Sequence, residues 1–156
     1  MKFKITLKID RKYGDLLPFN YQYEQSAVIY RILAQADTQY SSWLHENGYL
    51  LHERKRFKLF CYSPFIFEKV RPLPEAGCLK IIGERAVWYI SFIPEKSTLE
   101  FIQGIFAHQS FSIGNKKYQV AFDVVGVEAI PMPQLSEEMT FVALSPICVK
   151  LHEDNK

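Results

Sequence analysis

Cysteine is scarce in this 156-residue chain: Cys61, Cys78 and Cys148 are odd in number, lie far apart and form no CxxC pair. That excludes a disulfide scaffold and points to buried or half-buried free thiols in a reducing cytoplasm. Long apolar runs are missing too. Met1-Lys2-Phe3-Lys4 alternates apolar and polar residues at once, leaving no room for a signal peptide, and no later stretch reaches the length of a bilayer span. The expectation is a soluble cytoplasmic protein with no membrane partner. His52, His108 and His152 show no ligand spacing, which argues against zinc. The acidic residues form no cluster suited to a two-magnesium nuclease, so neither a metal nor a cofactor is implied. Strong charge of either sign is absent as well, the formal net charge being +2. Its distribution is uneven, with 10 Lys/Arg against 6 Asp/Glu in residues 1–60 and 9 against 11 in residues 61–156. A modest local basic bias of this kind is a weak pointer to a polyanionic partner, because most surface charge is merely solvating.

What is present reads as alternating strand and helix patterns in a chain of one-domain length. Phe3, Ile5, Leu7 and Ile9 alternate with Lys4, Thr6 and Lys8, the signature of a half-buried strand over Lys2 to Asp10. Val28, Ile29, Ile32, Leu33 and Ala36 share one stripe at helical spacing, giving an amphipathic helix from about Tyr21 to Ala36 with Tyr30 off the centre of the stripe. A second short helix opens at Asp37 as N-cap and ends near Asn47-Gly48, with Tyr40, Trp43 and Leu44 inward and His45 displaced from them. Phe57 to Phe67 reads as a strand broken by Pro64, and Leu79 to Ile82 and Ala86 to Ile93 as a hairpin across Gly83-Glu84. A helix after Pro94-Glu95 carries Leu99, Ile102 and Phe106 as its apolar face, and Tyr118, Val120, Phe122 and Val124 mark a long strand.

This βαββαβ order predicts an α+β, ferredoxin-like fold, an antiparallel sheet with two helices on one face. Residues 1–130 would form that domain. Pro131 to Glu138 reads as a Pro-rich polar connection, and Met139 to Leu151 as one further strand before a polar tail. Tyr13, Tyr21, Tyr23 and Tyr49 sit in contexts polar enough to stack on bases, whereas most other aromatics fit a core.

Leu17-Pro18-Phe19-Asn20-Tyr21, Val28-Ile29-Tyr30, Trp43-Leu44-His45, Phe57-Lys58-Leu59-Phe60-Cys61-Tyr62-Ser63 and Phe141-Val142-Ala143-Leu144-Ser145-Pro146-Ile147 form five ordered blocks. With the amino-terminal strand, they resemble the CRISPR-associated endoribonucleases that cut precursor CRISPR RNA, the sixth of the numbered Cas families. These belong to the RAMP superfamily of ferredoxin-like RNA-binding proteins. The resemblance spans essentially the whole chain but only the amino-terminal part of the family's length. Members typically carry two such domains in tandem, the second ending in a glycine-rich loop that has no counterpart here. Residues 131–156 would then be the connection and first strand of a second domain, in an amino-terminal fragment or a naturally shortened member.

The activity implied is cleavage of CRISPR repeat RNA by its own 2′-hydroxyl, leaving a 2′,3′-cyclic phosphate and a 5′-hydroxyl. Such a reaction needs proton transfer and a cation for the phosphorane, contributions of about 10²–10⁴-fold from each positioned acid–base group, and no metal. By resemblance Tyr30, His45 and Lys58 are the catalytic residues. His45 is the general acid, because an imidazole titrates near neutral pH. A phenol is a poor base unless cations depress it, so Tyr30 either serves as base or orients the 2′-hydroxyl. Lys58 steadies the developing charge, with Lys55 as its rival. Arg54, Lys55 and Arg56 are candidates for contacts to backbone phosphates. Plainer readings stand beside these: a helix-terminal histidine interacting with the helix dipole, a core-edge tyrosine and a solvated basic loop.

Two other functions fit the same residues. One is a RAMP-type RNA-binding subunit of an interference complex that cuts nothing; the other is a ferredoxin-like interaction module without RNA. Other CRISPR-associated proteins are candidate partners, and an exposed edge on the Met139 to Leu151 strand leaves room for a homodimer.

Overall fold

The computed structural model describes residues 1–51, 55–134, 136–140 and 142. Arg54, His52, Cys148 and His152 lie outside the described residues, as does almost all of the expected Met139 to Leu151 strand.

In chain order the elements are β1 (Lys2–Asp10), β2 (Leu16–Pro18), α1 (Gln22–Ala36), α2 (Thr38–Glu46), β3 (Tyr49–Leu51), β4 (Lys55–Phe57), β5 (Phe60–Tyr62), β6 (Ile66–Phe67), β7 (Val70–Leu73), β8 (Cys78–Ile81), β9 (Arg85–Phe92), α3 (Glu95–Ala107), β10 (Ser110–Gly114) and β11 (Gln119–Ile130). Six of the strands form one antiparallel sheet in the order β10-β11-β1-β9-β5, with β6 also pairing with β9. Taking β5 and β6 as one interrupted edge strand, β1, α1, β5/β6, β9, α3 and β11 make the ferredoxin-like βαββαβ unit, with β10 added beyond β11. The alternation of β1 places it at the centre, where Phe3, Ile5, Leu7 and Ile9 are buried. No helix among the described residues is long and apolar enough to cross a membrane.

Helix α1 buries Val28, Ile29, Ile32 and Leu33, the stripe that its spacing predicts. It lies directly against α3: a Cβ built on Gly104 would sit 1.8 Å from the Ile32 carbonyl oxygen, so only glycine permits this approach. The buried face of α3 is therefore Ser97, Thr98, Phe101, Gly104 and Ile105, not the expected Leu99, Ile102 and Phe106. Leu99 and Phe106 are exposed, and Ile102 packs at the edge of the core. The packing buries the small residues Ser97, Thr98 and Gly104 together with Phe101 and Ile105, a face that a search for large apolar residues alone does not find.

Four other expectations are corrected. Residues 78–92 form no hairpin: β8 joins β2 and β7 in a separate three-stranded sheet, and the Gly83-Glu84 turn passes the chain to β9 in the main sheet. The predicted strand from Phe57 to Phe67 is cut into β4, β5 and β6, first at Leu59, whose φ of 56° is left-handed, and again around Pro64. Tyr21 is buried, stacks on Phe65 and accepts the Phe65 amide through its hydroxyl at 3.0 Å, so it is closed to a base. Cys61 is exposed rather than half-buried, whereas Cys78 is buried.

Candidate active site

Tyr30 and His45 are brought together by a sharp joint between α1 and α2. Asp37 follows the last residue of α1 and caps α2, its Oδ1 accepting the Tyr40 amide at 2.8 Å. That amide, and then Lys96 at 3.2 Å, hold the Asp37 carboxyl below its usual range. One turn further on, the Ser41 hydroxyl donates to the Tyr30 carbonyl at 2.8 Å and pins α2 back onto α1. The Tyr40 hydroxyl links to Ser97 of α3 and to Tyr49 of β3, fixing α2 from its other side. With α2 held this way, the His45 imidazole meets the Tyr30 ring edge-on, centroids 4.9 Å apart at 83°. The Phe60 ring, from β5, packs against Tyr30 at 5.7 Å.

The cation arrives from the opposite direction. Helix α2 ends where the Asn47 and Gly48 amides both donate to the Trp43 carbonyl. Gly48 has φ +69°, and a Cβ on it would lie 2.7 Å from the Phe57 carbonyl oxygen, so β4 runs close over the turn. The residue after β4 is Lys58, whose ammonium donates to the carbonyls of Leu44 and His45 at 2.5 Å each. It sits at the negative end of the helix dipole. Beside it Arg56 donates to the Asn47 side-chain oxygen at 2.9 Å. Tyr30, His45 and Lys58 thus share one corner. Lys55 lies exposed on β4, whereas the Lys58 ammonium is bonded to the end of α2.

Burial, and then the neighbouring Tyr62, push the Tyr30 phenol above its ordinary value. A neutral phenol donates and accepts hydrogen bonds but is no base near neutral pH, so the corner offers Tyr30 as an orienting group. Partial burial, and then Arg56, pull the Lys58 amine down from its usual value. Two of the three ammonium protons are engaged on α2, leaving one for an incoming anion. An open groove of about 300 Å³, lined by residues that include Phe57, Lys58, Phe60, Cys61 and Ser91, runs from this point along β5. Among the described residues no group of three or more His, Cys, Asp or Glu is arranged to hold a metal ion.

Sequence reasoning missed three members of the site. Phe60 and Tyr62 flank Tyr30, and the Tyr62 hydroxyl donates to the Gln22 carbonyl. Asn47 tethers Arg56. The first two stand inside the block that carries the resemblance, so their alternation with Cys61 was the available signal; the third had none.

The βαββαβ order, with its antiparallel sheet, defines an α+β protein of ferredoxin-like fold. The sequence profile of CRISPR-associated protein Cas6, N-terminal, matches residues 16–123, and the chain belongs to that family. It is 25% identical over 158 aligned positions to the CRISPR-associated endoribonuclease Cas6 of Pyrococcus furiosus, covering all of this chain and 55% of that protein. It is 26% identical to a Cas6nc endoribonuclease-like protein of Pyrococcus horikoshii, over 96% of this chain and 56% of the relative. Among solved structures, a Cas6-related protein of Pyrococcus furiosus superposes with a TM-score of 0.68 at 22% identity, over 87% of this chain and 50% of that one. A RAMP protein that binds different RNA substrates gives 0.67 at 22% identity, over 88% of this chain and 51% of that one. These two share the fold. The chain spans about half the length of the relatives it matches.

Proposed function

We propose that this chain is the amino-terminal RAMP domain of a metal-independent endoribonuclease that cuts CRISPR repeat RNA into guide RNA. Residues 131–156 lead toward a second domain in this reading, and the protein works in the cytoplasm, where such transcripts are made. The observation that carries the proposal is the corner itself: Tyr30 and His45 in ring contact, with the Lys58 ammonium on the His45 carbonyl.

In the reaction the RNA 2′-hydroxyl attacks the adjoining phosphorus, loses its proton to solvent and closes the 2′,3′-cyclic phosphate. The bond from phosphorus to the 5′-oxygen breaks, and the His45 imidazolium protonates that oxygen as it leaves. The neutral Tyr30 phenol orients the 2′-hydroxyl. The remaining Lys58 proton donates to a non-bridging oxygen as charge develops on the phosphorane. Arg56 and Lys55, on exposed β4, contact flanking phosphates, and Arg54 belongs with them by position in sequence. The test is chemical analysis of the products. A cyclic phosphate and a 5′-hydroxyl are expected, with no cut where the attacking 2′-hydroxyl is replaced by hydrogen; a cut in that deoxy substrate overturns the mechanism.

One observation favours a second reading, a RAMP subunit that binds RNA without cutting it. Two of the three Lys58 donors are committed to the end of α2, the role a purely structural cap would have. Salt-sensitive RNA binding with no cleavage by the chain extended through its second domain would select that reading.

A further inference from the structure

Consecutive residues of α1 serve opposite edges of the main sheet. The Tyr30 ring packs on Phe60 of β5, whereas the Arg31 guanidinium donates to the Ser112 carbonyl of β10 at 3.1 Å, and β5 and β10 stand at the two ends of the strand order. On the β10 side two clefts adjoin. One, of about 300 Å³, has Lys12, Tyr13, Arg31, Gln35 and His108 among its lining residues. The other, of about 540 Å³, is lined by Tyr13, Gly114, Asn115, Lys116, Lys117 and Gln119. Tyr13 is their shared wall and is 56% exposed.

Neither cleft has an Asp or Glu in its lining, although the chain carries 17 acidic residues. Two carboxylates stand beside the lining: Asp10 lies 3.4 Å from the Lys12 ammonium, which also lies 5.1 Å over the Tyr13 ring, and Asp123 accepts the hydroxyl of the lining Ser110 at 2.7 Å. Among the described residues Arg31, Lys116 and Lys117 form no ion pair with a carboxylate. The loop that carries the two lysines is set by Asn115, whose side-chain oxygen accepts the amides of Lys117 and Tyr118 at 2.8 and 2.9 Å. The arrangement is one exposed aromatic face with a pair of cations on either side.

We propose that these clefts form a binding surface for single-stranded RNA, separate from the Tyr30 and His45 corner. One unstacked base lies on Tyr13, and the phosphates before and after it meet Lys12 with Arg31 and Lys116 with Lys117. A single strand fits where a duplex does not, because a base within a duplex has no free face to give Tyr13. The proposal rests on RNA as the ligand class of the proposed function, and it adds where a segment away from the scissile bond is held. A strand cut at the corner reaches the clefts by crossing α1, so they govern affinity rather than the chemical step.

The test uses this chain and a short fluorescein-labelled oligouridylate, with fluorescence anisotropy read over a range of potassium chloride concentrations. Tyr13→Ala is expected to weaken binding about tenfold, the range of one lost base stack, while Tyr13→Phe keeps it. The Lys116→Ala/Lys117→Ala double variant lowers the slope of log affinity against log salt by about 0.7 for each phosphate contact removed. Lys69→Ala, which removes an exposed lysine away from the clefts, leaves the slope unchanged. Circular dichroism melting shows that each variant is folded. Wild-type affinity in the Tyr13→Ala and double-lysine variants overturns the proposal, as does equal affinity for a duplex RNA of the same length. Loss of binding in those variants while the chain cuts nothing supports the clefts and counts against the catalytic reading alone. Normal cutting with unaltered binding in the variants overturns the clefts alone.

Discussion

The Lys58 ammonium donates to the main-chain carbonyl of His45, the residue whose ring touches Tyr30. Cation and imidazole are therefore fixed to each other through one helix terminus. Shifting the end of α2 moves both.

Replacing Lys58 tests that dual role. Lys58→Met removes the cation from the helix terminus and is expected to cost about 1 kcal/mol of stability, read by urea unfolding, together with slower RNA cleavage. Lys58→Arg keeps the cap and most of the stability. Lys55→Ala leaves the stability unchanged and affects only RNA affinity. Slower chemistry with Lys55→Ala than with Lys58→Met would reverse the assignment.

Tyr30→Phe keeps the ring that packs on His45 and Phe60 and removes only the hydroxyl. Stability is expected to stay within about 0.5 kcal/mol of wild type, and single-turnover cleavage to slow about tenfold, the value of one lost orienting hydrogen bond. Burial holds the Tyr30 phenol above its ordinary value, and it is expected to orient the 2′-hydroxyl rather than to act as a base. The cleavage rate therefore shows no rising limb from Tyr30 between neutral pH and about pH 10. A rise in wild type that disappears in Tyr30→Phe would make the phenol a base.

The N-cap of α2 gives a pH-dependent prediction of the opposite sense. The Asp37 carboxyl is held below its usual value by the Tyr40 amide and Lys96, so its contribution to stability is full above the ordinary carboxylate range and is lost as pH falls through the lowered folded value. Asp37→Ala is expected to melt below wild type at neutral pH, with the gap closing in acid. A gap that stays constant with pH would mean that the carboxylate is not the cap.

Gly104→Ala tests the helix contact beneath the site. The added Cβ would overlap the Ile32 carbonyl oxygen, so α1 and α3 must separate, at a cost of about 3 kcal/mol or more. Chemical unfolding reads this directly. A variant as stable as wild type would show that the two helices have room to spare.

Most of the frame was legible in the chain because its rules are local. The period-two pattern of β1, the helical stripe of α1 and the Asp37 cap each follow from a few consecutive residues. What was not legible depended on distant partners. The buried face of α3 is decided by a glycine meeting α1, β8 leaves its expected hairpin for β2, and Tyr21 is closed by an amide 44 residues away. At the site, the resemblance brought Tyr30 and His45 forward as candidates, but where Lys58 sits depends on the left-handed Leu59 and the close turn at Gly48. The cations along Lys12, Arg31 and Lys116 gave no pattern in sequence, since three separate elements bring them to the β10 edge.

The most direct test of the account is single-turnover cleavage of a labelled CRISPR repeat RNA by this chain in EDTA, wild type beside His45→Ala. The account predicts cutting by wild type and a loss of about 10²–10⁴-fold in the variant, with RNA binding retained. Cutting by His45→Ala at the wild-type rate, or no cutting by wild type even when the chain is extended through its second domain, would contradict it.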